Sequence, residues 1–245
     1  MTDHAAPAVL TVLCIPGPWR SRTDLIAALI SSNSGYLFAG QLLMNVATKH
    51  SCELDFQPAD PRMEAAFRAA GPHWAGTPEM QRIASHASVA YLVADGGAAM
   101  TAEALMQAAN ALLDAGGLGV KVESSGVAHA PAAWRELCAD LHLFSAQRAY
   151  VLYVTGEQVY SCGMHNLGLR DAIVENDGDT AEAVELLRVF TRYLFTESPA
   201  IRAGQTFGAA EDAPVYRLLD DPGPGYEEGS LYANPFGFWR LVRAR

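Results

Sequence analysis

The chain has 245 residues, of which 50% are apolar, 18% charged and 9% aromatic, the composition of a folded chain with a sizeable core and not of a disordered one. Lys plus Arg total 17 against 27 acidic residues, a net charge of -10. That balance argues against nucleic acid as a partner, because affinity for phosphate backbones rests on clustered cations. No apolar run approaches the roughly 18 to 20 residues of a membrane span. Asp3 and His4 stand where a secretory signal carries Lys or Arg. Cys14, Cys52, Cys138 and Cys162 are widely spaced, with no Cys-x-x-Cys pair, which predicts reduced thiols in a cytoplasmic protein. Neither a cofactor nor a membrane is expected.

In chain order, Val9 to Ile15 reads as a buried strand ended by Pro16-Gly17-Pro18. Ser21 and Asp24 open a helix that carries Leu25, Ala28 and Leu29 and ends near Gly35. Tyr36 to Thr48 and Cys52 to Gln57 read as two strands, and Met63 to Ala70 as a short helix. A strand at Val89 to Ala94 leads through Asp95-Gly96-Gly97 into a helix over Thr101 to Ala115, whose face is Leu105, Ala109 and Leu112. Gly119 to Glu123 is strand-like, and Pro131 opens a helix with Trp134, Leu137, Cys138 and Leu141 on one face. Tyr150 to Val154 and Val159 to Cys162 flank a hairpin turn. Asp179 and Glu182 have capping-box spacing before the strongest helix, with Ala183, Leu187, Phe190 and Leu194 on one face. Short strands follow at Gln205 to Phe207, Val215 to Leu219 and Phe236 to Val242. Several strands adjoin through short turns, so the expected class is α+β, a mixed or largely antiparallel sheet flanked by helices. One globular domain over 1–245 is expected, with two related halves, 1–87 and 88–245, as an alternative organisation.

The C-terminal third carries the most specific pattern: Tyr160-Ser161-Cys162-Gly163-Met164-His165-Asn166-Leu167-Gly168, then Asp171 to Glu175, the long helix, and Gly204-Gln205-Thr206-Phe207-Gly208. This resembles the bacterial family catalogued as domain of unknown function 4261. Its members carry a Gly-Met…Leu-Gly strand and turn, an acidic strand end, a helix ending in Tyr-Leu, and a Gly-x-Thr-x-Gly turn. Here these fall on Gly163-Met164, Leu167-Gly168, Glu175, Tyr193-Leu194 and Gly204 to Gly208, and the similarity runs over roughly residues 88 to 245. The resemblance implies a bacterial setting near secretion-system and polymorphic-toxin genes. It implies no catalytic residues.

Cys162-x-x-His165, beside Asn166, is the most chemical constellation, since a Cys/His pair can bind a metal or act as nucleophile and base. Its spacing on a strand end points the two side chains to opposite faces, and no second ligand pair matches it. His129 is a second candidate base for Cys162, in the alternative reading of a small hydrolase. His50, Cys52 and Asp55 read as turn residues, Trp74 beside His73 as a loop anchor, and His86 and His142 as isolated. Asp95-Gly96-Gly97 lacks both the dinucleotide and the P-loop spacing. Charge is more informative: residues 175–228 hold 12 acids and 4 arginines, a net -8. A solvated acidic rim is the plain reading. The sharper one is a non-catalytic module that captures a basic protein partner, such as a cognate toxin, through Glu211, Asp212, Asp220, Asp221, Glu227 and Glu228, with Tyr226 and Tyr232 as anchors.

Overall fold

The computed structural model describes residues 9–139, 143–227 and 229–244, so Asp3, His4, Leu141, His142 and Glu228 lie outside the described residues. The chain begins with β1 (Leu10–Gly17), α1 (Arg22–Ser32), β2 (Tyr36–Ala39), β3 (Leu42–Asn45), β4 (Ser51–Pro58), α2 (Met63–Ala69) and α3 (Pro78–Ala84). Next come β5 (Ser88–Asp95), α4 (Ala99–Asp114), β6 (Val120–Val122), β7 (Ala128–His129), α5 (Pro131–Ala139) and α6 (Leu143–Tyr150). The remainder is β8 (Leu152–Val154), β9 (Gln158–Cys162), β10 (Asp171–Glu175), α7 (Thr180–Glu197), β11 (Thr206–Gly208), β12 (Val215–Asp221) and β13 (Phe238–Arg243).

The fold is α+β, with two sheets where one was expected. Seven strands form the first in the order β2-β3-β4-β5-β1-β6-β7, and six form the second in the order β11-β12-β13-β10-β9-β8. Pairing is antiparallel except between β10 and β13. Because β5 lies between β4 and β1, a division at 87/88 would cut through the first sheet; the change of sheet comes after β7.

Strand alternation explains how the first sheet is covered on both faces. Leu13 and Ile15 of β1, with Ala90 and Leu92 of β5, join the buried cluster that includes α1 and α4. Cys14 and Val89 face the other way, onto Met63 and Phe67 of α2, Trp74, and Met80 and Ile83 of α3. The main cluster continues without a break into Val159, Ala172, Val174 and Leu241 of the second sheet and into Leu187 and Phe190 of α7. That helix starts as its sequence predicts: the Glu182 amide donates to the Asp179 carboxylate at 2.9 Å, and Ala183, Leu187, Phe190 and Leu194 are buried. Truncating Phe190, which is fully buried and 4.9 Å from the Phe207 ring, should cost about 3–5 kcal/mol.

Three local readings need correction. Tyr36 to Thr48 is a hairpin of β2 and β3, reversed at Gly40-Gln41, where Gly40 has φ +58°. Tyr150 closes α6 instead of opening a strand, and its hydroxyl donates to the Ala102 carbonyl. The α3 helix was not read at all, although Thr77 caps it and Pro78 occupies its first turn.

Candidate functional site

The topology sorts the acidic residues before any side chain is considered. β10 runs parallel to β13, and β12 antiparallel to it. The exits of β10 and β13, the start of β12 and the β11–β12 turn therefore share one end of the second sheet. Glu175, Asp177, Asp179, Glu182, Glu211 and Asp212 are at that end. Asp220 and Asp221 finish β12 at the opposite end, where Tyr226, Glu227 and Tyr232 follow in the connection to β13. The seven residues of β12 hold the Glu211-Asp212 turn roughly 20 Å from Asp220 and Asp221, at about 3.3 Å per residue, whereas Glu175 and Asp221 are bridged across β13 by Arg240. The partner-binding residues chosen from sequence are thus divided between two places.

At the Asp220 end the charges are matched internally. Consecutive strand residues face opposite ways, and each of the two aspartates meets its own arginine. Arg170 Nη1 donates to Asp220 at 2.7 Å while its guanidinium stacks 3.8 Å from the Trp239 ring. Arg240 Nε donates to Asp221 at 2.6 Å and its Nη1 to Glu175. Glu227 is exposed. Tyr226 and Tyr232 are half-buried with ring centroids 5.8 Å apart, and the Tyr226 hydroxyl donates to Tyr160.

The other end is a cleft of about 170 Å³ between the start of α7 and the strand ends, lined by Glu175, Asp177, Asp179, Glu182, Tyr216 and Arg243. Asp179 is occupied in capping α7 and Glu175 with Arg240. Asp177 and Glu182 are exposed and make no side-chain hydrogen bond or ion pair among the described residues. Burial raises the Tyr216 phenol pKa above its ordinary value, and the nearby Glu182 and Asp177 carboxylates raise it further against the opposing effect of Arg243. The cleft is therefore a negative recess with an aromatic wall. Its acids were visible in the sequence as part of the acidic stretch; the Asp179 N-cap that starts α7 was the signal that would have singled them out.

Cys162 and His165 do not form a reactive pair. The Cys162 thiol is buried and its pKa is pushed up to about 12, first by desolvation and then by the charge of Asp171. A thiol so held stays protonated at neutral pH and is a poor nucleophile. His165 lies on a 3₁₀ turn, with Nδ1 3.9 Å from the fully buried Asp171 carboxylate. Asp171 accepts from Ser161 Oγ at 2.7 Å, from the Met164 amide and from Asn234 Nδ2. Asn166 ties the two sheets together, its Oδ1 accepting from Thr11 Oγ1 at 2.8 Å and from Ser124 Oγ at 2.7 Å. These polar groups are the joint of the fold.

The same joint accounts for two glycines of the family pattern. A Cβ on Gly163 would lie 2.1 Å from the Tyr150 carbonyl oxygen, and one on Gly168 2.3 Å from that of Gly97. Both also have positive φ, so close backbone approach and handedness each require glycine.

The remaining candidates are structural. His129 is half-buried, with desolvation lowering its pKa, and its Nε2 is 2.9 Å from the Ala149 carbonyl. Cys52 points into the core while Asp55 bonds Gln57 on the opposite face, so His50, Cys52 and Asp55 do not converge. Trp74 anchors its loop against Phe67 at 5.2 Å. The Gly96 and Gly97 amides are already donated to Val9 and Asn166. Among the described residues, no helix is long and apolar enough to cross a membrane.

No curated protein and no solved structure matches the chain. Residues 160–234, a shorter span than the motif resemblance covers but one that contains Gly163, Gly168, Tyr193-Leu194 and the Gly204 to Gly208 turn, match the family model described as domain of unknown function (DUF4261).

Proposed function

We propose that this chain is a non-catalytic protein-binding module that captures a basic partner in the acidic cleft at the start of α7. The observation that carries this reading is the pair Asp177 and Glu182, exposed beside Tyr216 and in no ion pair among the described residues, in a cleft where four carboxylates face the single cation Arg243. A lysine or arginine of a partner would supply the missing charge, with Tyr216 as an apolar wall. Complementary charge of this kind speeds encounter and rejects wrong partners more than it deepens affinity. The biological role in this proposal is that of a cytoplasmic immunity or accessory protein, which blocks a cognate toxin sterically and electrostatically. The reading moves the centre of recognition away from Asp220 and Asp221, whose charges are met by Arg170 and Arg240.

The test is co-expression of the full chain with the product of an adjacent toxin-like gene. A complex that weakens as salt rises is expected, and Asp177→Asn with Glu182→Gln should slow association about tenfold. Asp220→Asn should leave it unchanged. Equal association by the cleft variant and the unmodified chain would sink the assignment.

A further inference from the structure

A second recess lies where α2 approaches the outer face of the second sheet. It has a volume of about 260 Å³, with walls from Ala66 and Ala69 of α2, Leu152 and Val154 of β8, and Cys162, Tyr226 and Tyr232. The small side chains of α2 leave the space open, and Cys162, a neutral thiol, adds to the apolar wall. Besides the phenols of Tyr226 and Tyr232, two buried polar side chains line this groove. Lys121 has its side chain only 8% exposed and donates to Glu123 Oε2 at 2.6 Å. An ammonium carries three N–H groups, so two remain without an acceptor among the described residues. Ser125 is 2% exposed, and its Oγ has no hydrogen-bond partner among the described residues.

A buried hydroxyl left unpaired is unfavourable, and native interiors rarely keep one without a reason. The charge balance then selects the ligand. Glu123 already neutralises Lys121, so a carboxylate entering the groove would bring an uncompensated charge into apolar surroundings. An amine would meet Lys121 with like charge. A neutral carbonyl oxygen can accept from the spare donors of Lys121 or from Ser125 and adds no charge. We infer that the groove binds a small neutral carbonyl compound, an amide above all, with its apolar body against Ala66, Leu152, Val154 and the two tyrosines. Small-ligand sites commonly span about 300–1,000 Å³, so this groove, just below that range, suits a compact molecule.

The inference is independent of the acidic cleft, and its test needs no partner. The full chain, isotope-labelled, would be titrated by NMR with matched trios of amide, carboxylate and amine built on the same phenyl, isobutyl and cyclohexyl bodies. Saturable shifts at Ala66, Ser125 and Gly126 are expected with amides and not with their charged counterparts. Ser125→Ala should weaken amide binding about fivefold without lowering the unfolding midpoint, because that hydroxyl has no partner in the unliganded protein. Ala66→Phe should abolish binding by filling the groove. The inference is overturned if no amide saturates, if carboxylates bind as tightly, or if Ser125→Ala keeps full affinity.

Discussion

Asp171 and Asp177 stand at the beginning and just beyond the end of the same strand, and the molecule uses them in opposite ways. Asp171 is fully buried and accepts three hydrogen bonds that fix the β9–β10 connection and Asn234. Asp177 is exposed, unpaired among the described residues, and close to Glu182 and Tyr216. A carboxylate surrounded by donors holds a fold together; one surrounded by other acids leaves a field for something else to neutralise. The difference separates the polar residues that secure the joint between the sheets from the surface acids at Asp177 and Glu182, on which the proposed recognition of a partner rests.

Among changes to these polar and charged groups, the largest effect should come from Asp171→Ala. It leaves the Asn234 and Ser161 donors without their acceptor, and urea unfolding should show a loss of about 3 kcal/mol. Gly168→Ala attacks the same joint through the backbone, where the added methyl meets the Gly97 carbonyl at 2.3 Å. About 2 kcal/mol should be lost by the same measurement. Neither change should act specifically on charge recognition.

Buried Cys162 adds a pH dependence to the interior side of the comparison. Its folded pKa of about 12 exceeds the ordinary thiol value of 9.0. Above that ordinary value the unfolded chain releases a proton that the folded chain retains, so stability falls as pH rises through this window. Below it the thiol contributes no pH dependence. Cys162→Ala should flatten the alkaline limb of the stability profile; an unchanged limb would mean that the thiol is not held protonated. Asp220→Asn should do less, about 0.5 kcal/mol, because the Asp220 side chain is 69% exposed and Arg170 retains its contacts with Trp239 and Phe238.

What could be read in the sequence was what depends on neighbours along the chain. The α7 helix was legible because Asp179, Glu182 and its apolar face lie within one helix, and β1 and β5 because short apolar runs end in turn residues. Gly40 was passed over because it sits inside an otherwise apolar run, so one strand was read where two form. α3 was missed although Thr77-Pro78 is a good start signal. The site was less legible for a different reason. Asp220 and Asp221 looked like one acidic point, yet alternation along β12 sends them to opposite faces. Their arginines come from distant positions, Arg170 and Arg240, which only strand register brings close. Sequence density of charge is not surface charge until the pairing partners are known. Lys121 and Ser125 were likewise unremarkable until the second sheet closed a groove over them.

The smallest stability change should be that of Asp177→Asn, and its sign rests on two opposed effects. Proximity to the start of α7 favours a negative charge there by about 0.3–1 kcal/mol. The neighbouring carboxylates of Glu175, Asp179 and Glu182 oppose it, and like charges at this separation cost a comparable amount in water-exposed surroundings. The net shift should therefore stay within about 0.5 kcal/mol. Salt distinguishes real balance from absence of interaction. Screening weakens repulsion among several acids more than it weakens one helix-end interaction, so the unfolding midpoint of the unmodified chain should rise with added salt. In Asp177→Asn that rise should be smaller. Identical salt dependence in the two proteins would mean that Asp177 does not feel the other carboxylates, and the cleft would lose the concentrated negative field on which the proposed recognition of a basic partner rests.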